Sequence, residues 1–142
     1  YKGCDNDSNF LNLDWVYKNC GINIVTETVY NYVPGIITEK SLFAFLAGQV
    51  PIIIGHRGAV KNFRDFGFDM FEDLVDTSYD DLPNRFRWKQ AIDLNADLLR
   101  TGIDREKLKD RLLANRDHAL NKWPRQLIEI YEQQIHSLDF RR

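Results

Sequence analysis

The stretch from Ile36 to Gly55, which reads IITEKSLFAFLAGQVPIIIG, constrains this chain more than any other part of it. Thr38 has the short oxygen-bearing side chain that begins helices, and Glu39 and Lys40 follow it in the first turn. Leu42, Phe43, Phe45 and Leu46 give this helix a broad apolar face, and Gly48 supplies its stop. Pro51 to Ile54 is wholly apolar, as strands buried on both faces of a parallel sheet are. Gly55-His-Arg-Gly58 then turns the chain into a further helix, Val60 to Phe66, stopped by Gly67.

The flanking segments fit the same plan. Residues 1–9 read as a polar lead-in, after which Phe10, Leu13, Val16 and Tyr17 fall at helical spacing ahead of Gly21. Ile22 to Val29 alternates and is β-branched, so it is expected to be a strand, and Tyr30 to Gly35 a loop. The order strand, helix, strand, helix predicts an α/β layer with right-handed crossovers, a small parallel Rossmann-like βαβα unit within residues 22–82. Phe68 to Val75 is expected to add a short strand or strand-like edge before the acidic turn Asp76 to Asp81. From residue 83 to 142 the pattern is helical. One helix covers Phe86 and Trp88 to Leu99, ended by Gly102; a second is capped by Asp104 and carries Leu108, Leu112 and Ala119. The last follows Trp123-Pro124, with Leu127, Tyr131, Ile135 and Leu138 as its stripe.

The 142 residues suit a single domain, and the start at Tyr1 rather than Met leaves open that they are a fragment of a longer chain. Net charge is −2, split between −6 over residues 1–84 and +4 over residues 85–142. The basic residues of the second part are interleaved with acids along helices, which reads as solvated helix surface and not as a nucleic-acid patch. Cys4 and Cys20 have no metal-like spacing, so neither a metal site nor a disulfide framework is expected. Reduced thiols, no signal peptide and no apolar run of membrane-spanning length together read as a cytoplasmic protein.

Candidate chemistry gathers at the strand ends. Glu39 complements a helix N-terminus, but Lys40 opposes it, by roughly a few tenths of a kcal/mol. A phosphate docked there would meet both the amides and the ammonium, which is the functional reading of Lys40; a surface charge is the other. Glu27, at the end of the preceding strand, is either a cleft residue or a cap or salt-bridge partner. His56 and Arg57 sit in the loop after the apolar strand, where a phosphate or sugar contact would lie, although a lone loop histidine is more often structural. His118 and His136, on C-terminal helices, read as ordinary.

The segment Thr38 to Gly55 resembles the donor-binding segment of fucosyltransferase-type glycosyltransferases, with its "TEK", apolar helix, "Ala-Gly", "Val-Pro", apolar strand and Gly. It is more similar still to uncharacterised glycosyltransferase-like proteins, many of them phage-encoded. In these, that segment is joined by a "Val-Thr-Glu-Thr" strand (Val25 to Thr28), a "Leu-Gly-Phe…Phe" run (here Phe66-Gly-Phe…Phe71) and "Asp-x-Ser-Tyr-Asp" (Asp76 to Asp80). The resemblance implies a GT-B type C-terminal lobe binding a nucleotide-sugar as substrate, with no metal and no separate cofactor. Glu39 would hold the donor ribose and Lys40 its diphosphate, with Thr38, Glu27, Gly55, His56 and Arg57 around them. The acceptor and the catalytic base of such enzymes come from an N-terminal lobe, which this chain lacks, so a missing lobe or a homo-oligomer is the expected partner and catalysis is expected to be incomplete. The competing expectation is a non-enzymatic α/β binding or assembly module.

Overall fold

In the computed structural model, which describes residues 15, 17–27 and 38–137, two parallel strands lie at the centre. Strand β1 (Ile22–Thr26) pairs with β2 (Val50–Ile54) in the register Ile22 to Val50 through Thr26 to Ile54. Helix α1 (Glu39–Leu46) precedes β2 and packs on both strands. It ends where Gly48 adopts φ 64°, a conformation that costs glycine little. Helix α2 (Ala59–Asp65) follows β2, so the chain is mixed α/β.

β2 is buried at all five positions, yet it has one strand neighbour among the described residues. The Val50 amide donates to Gly21 O at 2.9 Å, and the Glu27 amide to Ile54 O at 2.8 Å. Backbone groups alternate sides along a strand, so residues 50, 52 and 54 face β1 while 51, 53 and 55 face the other edge. At that edge Pro51 has no amide to satisfy. Ile53 O accepts from the Tyr79 hydroxyl at 3.0 Å, and Gly55 O accepts from the buried Arg87 guanidinium. Side chains from residues 79–87 therefore close the outer edge of β2.

Below the sheet, Phe45 of α1 stacks on Phe68 at 4.4 Å, and Phe63 of α2 meets both rings at 5.7 Å. At the amino end of the strands, buried Gln49 accepts from Asn23 at 2.9 Å and donates to Cys20 O at 3.0 Å, joining the lead-in to β2. Trp15 and residues 17–19 are helical; the rest of the helix expected from Phe10, and the expected loop Tyr30 to Gly35, lie outside the described residues. Cys20 is a free thiol.

The strand expected between Phe68 and Val75 does not form. Helix α5 (Lys109–Asp117) and the turn after it hold this segment through one face, with Arg111, Asn115 and His118 at helical spacing. The Asp69 amide donates to Asn115 Oδ1 at 2.8 Å, and Asn115 Nδ2 donates to Asp69 O at 2.7 Å. Arg111 binds the carboxylates of Asp69 and Asp73 together, and His118 Nε2 donates to Phe66 O at 2.7 Å. Phe71, at φ 54°, turns the backbone out of any extended path. Its amide donates to Asp69 Oδ1 at 2.8 Å.

The single helix expected over Trp88 to Leu99 is two, α3 (Asn84–Leu94) and α4 (Ala96–Thr101), broken at Asn95. Asn95 is buried and exchanges two 2.9 Å bonds with the Asp76 backbone, fixing the acidic turn. The Asp104 carboxylate accepts from the Glu106 amide at 3.1 Å, capping a turn that precedes α5. α5 runs through a wide π-helical turn (His118–Lys122) into α6 (Trp123–Ser137), just where Pro124 removes an amide. Leu127 is half-buried on α6; the side chains of Tyr131, Ile135 and Leu138 lie outside the described residues. Among the described residues, no helix is long and apolar enough to cross a membrane.

Candidate functional site

The carboxyl ends of β1 and β2 carry the polar groups singled out above. Glu27 follows β1 and is 5% exposed. One of its carboxylate oxygens accepts from the Thr38 hydroxyl and the other from Ser41 Oγ at 2.5 Å. Thr38 stands at the N-cap position with extended backbone, but its hydroxyl serves Glu27 instead of a helix amide. A buried carboxylate thus ties the strand end to the first turn of α1, where the helix dipole favours it.

Gly55 completes this packing. A Cβ at this position would lie 3.2 Å from Glu27 Cβ and 3.0 Å from Ala59 Cβ, so the chain passes closely between the two.

Glu39 and Lys40 point to solvent on the same turn, 3.5 Å apart, with side chains 67% and 46% exposed. Lys40 also lines a cleft of about 200 Å³ on the β1 side, with Tyr17, Asn23, Thr26 and Phe43. Glu39 does not line it.

His56, by contrast, is 2% exposed and hydrogen-bonded both to its own loop and to α2. Its Nδ1 lies 2.9 Å from Arg57 O, and a carbonyl can only accept, so Nδ1 carries the proton. Nε2 is then the acceptor for Asn62 Nδ2 at 3.3 Å. The structure therefore gives His56 a positioning role in the loop. Arg57 is exposed and lies 3.7 Å from Asp81.

Behind this loop stand two residues that sequence reasoning missed. Asp80 caps α2 from a distance: its Oδ2 accepts from the Lys61 amide at 3.1 Å, and its main-chain oxygen from the Gly58 amide at 3.2 Å. Its Oδ1 is buried with no hydrogen-bond partner among the described residues. Burial pushes the Asp80 carboxyl above the usual carboxylate range, opposed by the Lys61 and Val60 amides and by the Arg87 charge. Arg87, 1% exposed, donates to Gly55 O, to Leu82 O at 3.1 and 3.0 Å, and to Asn84 Oδ1 at 2.5 Å. Ser41 and Asn62 were missed as well. Their signal was positional: Ser41 shares a helix face with Phe45, and Arg87 shares one with buried Ala91.

The arrangement ties Glu27 to the start of α1 and the loop after β2 to Asn62 of α2 and to Arg87, and it leaves Glu39 and Lys40 at the surface. Among the described residues no group of acidic, histidine and cysteine side chains is placed to hold a metal ion. At the level the fold defines, this is a mixed α/β protein with a two-strand parallel sheet and a buried polar network at its carboxyl end. Comparison with known proteins finds no matching family model, no matching curated protein and no matching solved structure.

Proposed function

We propose that this chain is the donor-binding part of a glycosyltransferase-like protein, taking a nucleotide-sugar along β1 of a Rossmann-like unit, with Lys40 toward the carboxyl end of that strand. The observation that carries the reading is the cleft at β1, where the Lys40 ammonium shares one concavity with the Tyr17 and Phe43 rings and the polar edges of Asn23 and Thr26. A cation, flat apolar surface and hydrogen-bonding groups are what a nucleoside diphosphate requires, and the carboxyl ends of parallel strands are where α/β sheets bind nucleotides. Lys40 would hold the diphosphate and support its departure, while Glu39, beside it, would take the ribose hydroxyls. Among the described residues no general base lines this cleft, so the reading assigns binding to this chain and leaves the acceptor and the base to another lobe or subunit.

Titration with nucleoside diphosphates and their sugars, followed by calorimetry or ligand-observed NMR, tests it. Saturable binding that is lost in Lys40→Ala with an unchanged circular dichroism spectrum is the expected result. Wild-type protein that binds none of them at millimolar concentration sinks the proposal. That outcome would favour a non-enzymatic binding module, for which the exposed face of α3 around Trp88 and Ile92 is the surface to examine.

A further inference from the structure

We propose a second, separate site that binds oligophosphate anions in the basic cleft between the end of α1 and α5. Two adjoining concavities, of about 430 and 350 Å³, share Ala47, Arg105 and Arg116. Lys18 lines the first and Lys109 the second. The acid lining them is Glu106, 85% exposed and 3.7 Å from Lys109. Several cations elsewhere are matched: Lys61 with Asp65, Arg64 with Glu72, Lys89 with Asp93, and Arg111 with Asp69 and Asp73. Among the described residues Arg116 makes no ion pair, so positive charge accumulates at this cleft.

Arg105 gives the cleft a built element. Its guanidinium donates to Lys18 O at 2.9 Å, Gly48 O at 3.1 Å and Ala47 O at 3.4 Å. These bonds fix the charge in place before a ligand arrives, so little ordering remains to be done on binding. Apolar walls from Leu46 and Leu112 strengthen its field by excluding water. Two guanidinium groups and a nearby ammonium suit the adjacent oxygens of linked phosphates, which accept several charge-assisted bonds at once. The volume falls in the small-ligand range, about 300–1,000 Å³. A long polyanion is disfavoured because the chain as a whole is acidic, with −6 over residues 1–84.

The site shares Tyr17 and Phe43 with the Lys40 cleft but none of its cations, so the two proposals stand or fall separately. The test is a nitrogen-15 NMR titration of the full chain with inorganic pyrophosphate, against sodium chloride of matched ionic strength. Saturable shifts centred on Lys109 to Arg116 are expected. The paired variant Lys109→Gln, Arg116→Gln should weaken them about tenfold or more, the effect of losing about 1.4 kcal/mol, while Lys40→Ala leaves them unchanged. The proposal is overturned if sodium chloride reproduces the shifts, if the paired variant binds as wild type does, or if shifts appear at Lys40 and none at Lys109 to Arg116. It is also overturned if an oligoglutamate peptide displaces pyrophosphate at lower concentration, since the site would then be one for acidic peptides. Lys109 is largely exposed, and circular dichroism of the paired variant verifies the fold.

Discussion

Two Cβ atoms, those of Glu27 and Ala59, flank Gly55 so closely that a methyl group there would sit 3.2 and 3.0 Å from them. Neither neighbour can yield easily. Glu27 is held by the Thr38 and Ser41 hydroxyls, and Ala59 opens α2. Gly55→Ala is therefore expected to destabilise the fold by about 1–3 kcal/mol, the usual range for overpacking. Urea unfolding measures that loss, and amide shifts concentrated at residues 27, 41 and 59 would trace it to this contact. The glycine was visible in the sequence as a loop residue, but the reason for it was not, because Glu27 lies 28 positions earlier.

At the scale of elements, α5 and the segment from Phe66 to Val75 behave as one unit. Arg111 stands at its centre, bound to Asp69 and Asp73 and with its guanidinium 4.6 Å above the Phe71 ring. The Arg111 hydrogen bonds hold both carboxyls below the usual carboxylate range. Carboxyls whose native pKa is depressed add stability above their unfolded value, about 3.9, and that stability is lost as pH falls through the lower native value. Both groups are partly open to solvent, so screening limits the gain. Arg111→Ala should cost about 1–2 kcal/mol near pH 7. The difference from wild type should shrink below about pH 4. Urea titrations over a series of pH values check both statements; a constant difference down to about pH 2 would disprove the linkage.

For the whole molecule the decisive contact is between β2 and residues 79–87. Tyr79 and Arg87 satisfy the edge carbonyls that a third strand would otherwise take, and Arg87 also offsets the buried Asp80 charge. Asp80 has the opposite linkage to Asp69. Its pKa is raised, so its contribution is fully present below the unfolded value of about 3.9 and is lost as pH rises through the native one. Arg87→Met strands the Gly55 and Leu82 carbonyls and removes the nearby positive charge, at an expected cost of about 3–5 kcal/mol. Native stabilities run at about 5–15 kcal/mol, so this variant should sit close to unfolding at room temperature. Adding Asp80→Asn should restore part of the loss, because the uncompensated charge goes with it. A double-mutant cycle in urea detects that recovery, and strictly additive effects would argue against the coupling.

Local signals were sufficient for α1, its stop at Gly48, the buried β2 and the turn into α2, because glycine conformation and apolar runs act within a few residues, although Thr38 gives its hydroxyl to Glu27 instead of a helix amide. The same signals placed Thr38 and Lys40 at the start of α1 and Glu27 at the end of β1. What the sequence alone did not determine depends on partners distant in the chain. Phe68 to Val75 looks like a strand until Arg111, Asn115 and His118 take its polar groups. Trp88 to Leu99 looks like one helix until Asn95 turns inward to hold Asp76. His56 could bind a ligand or support its loop as far as the sequence goes; the fold sets its ring nitrogens against Arg57 O and Asn62 of α2. The commitment of each polar group is a choice among competing hydrogen-bond partners, and only tertiary packing brings those competitors together.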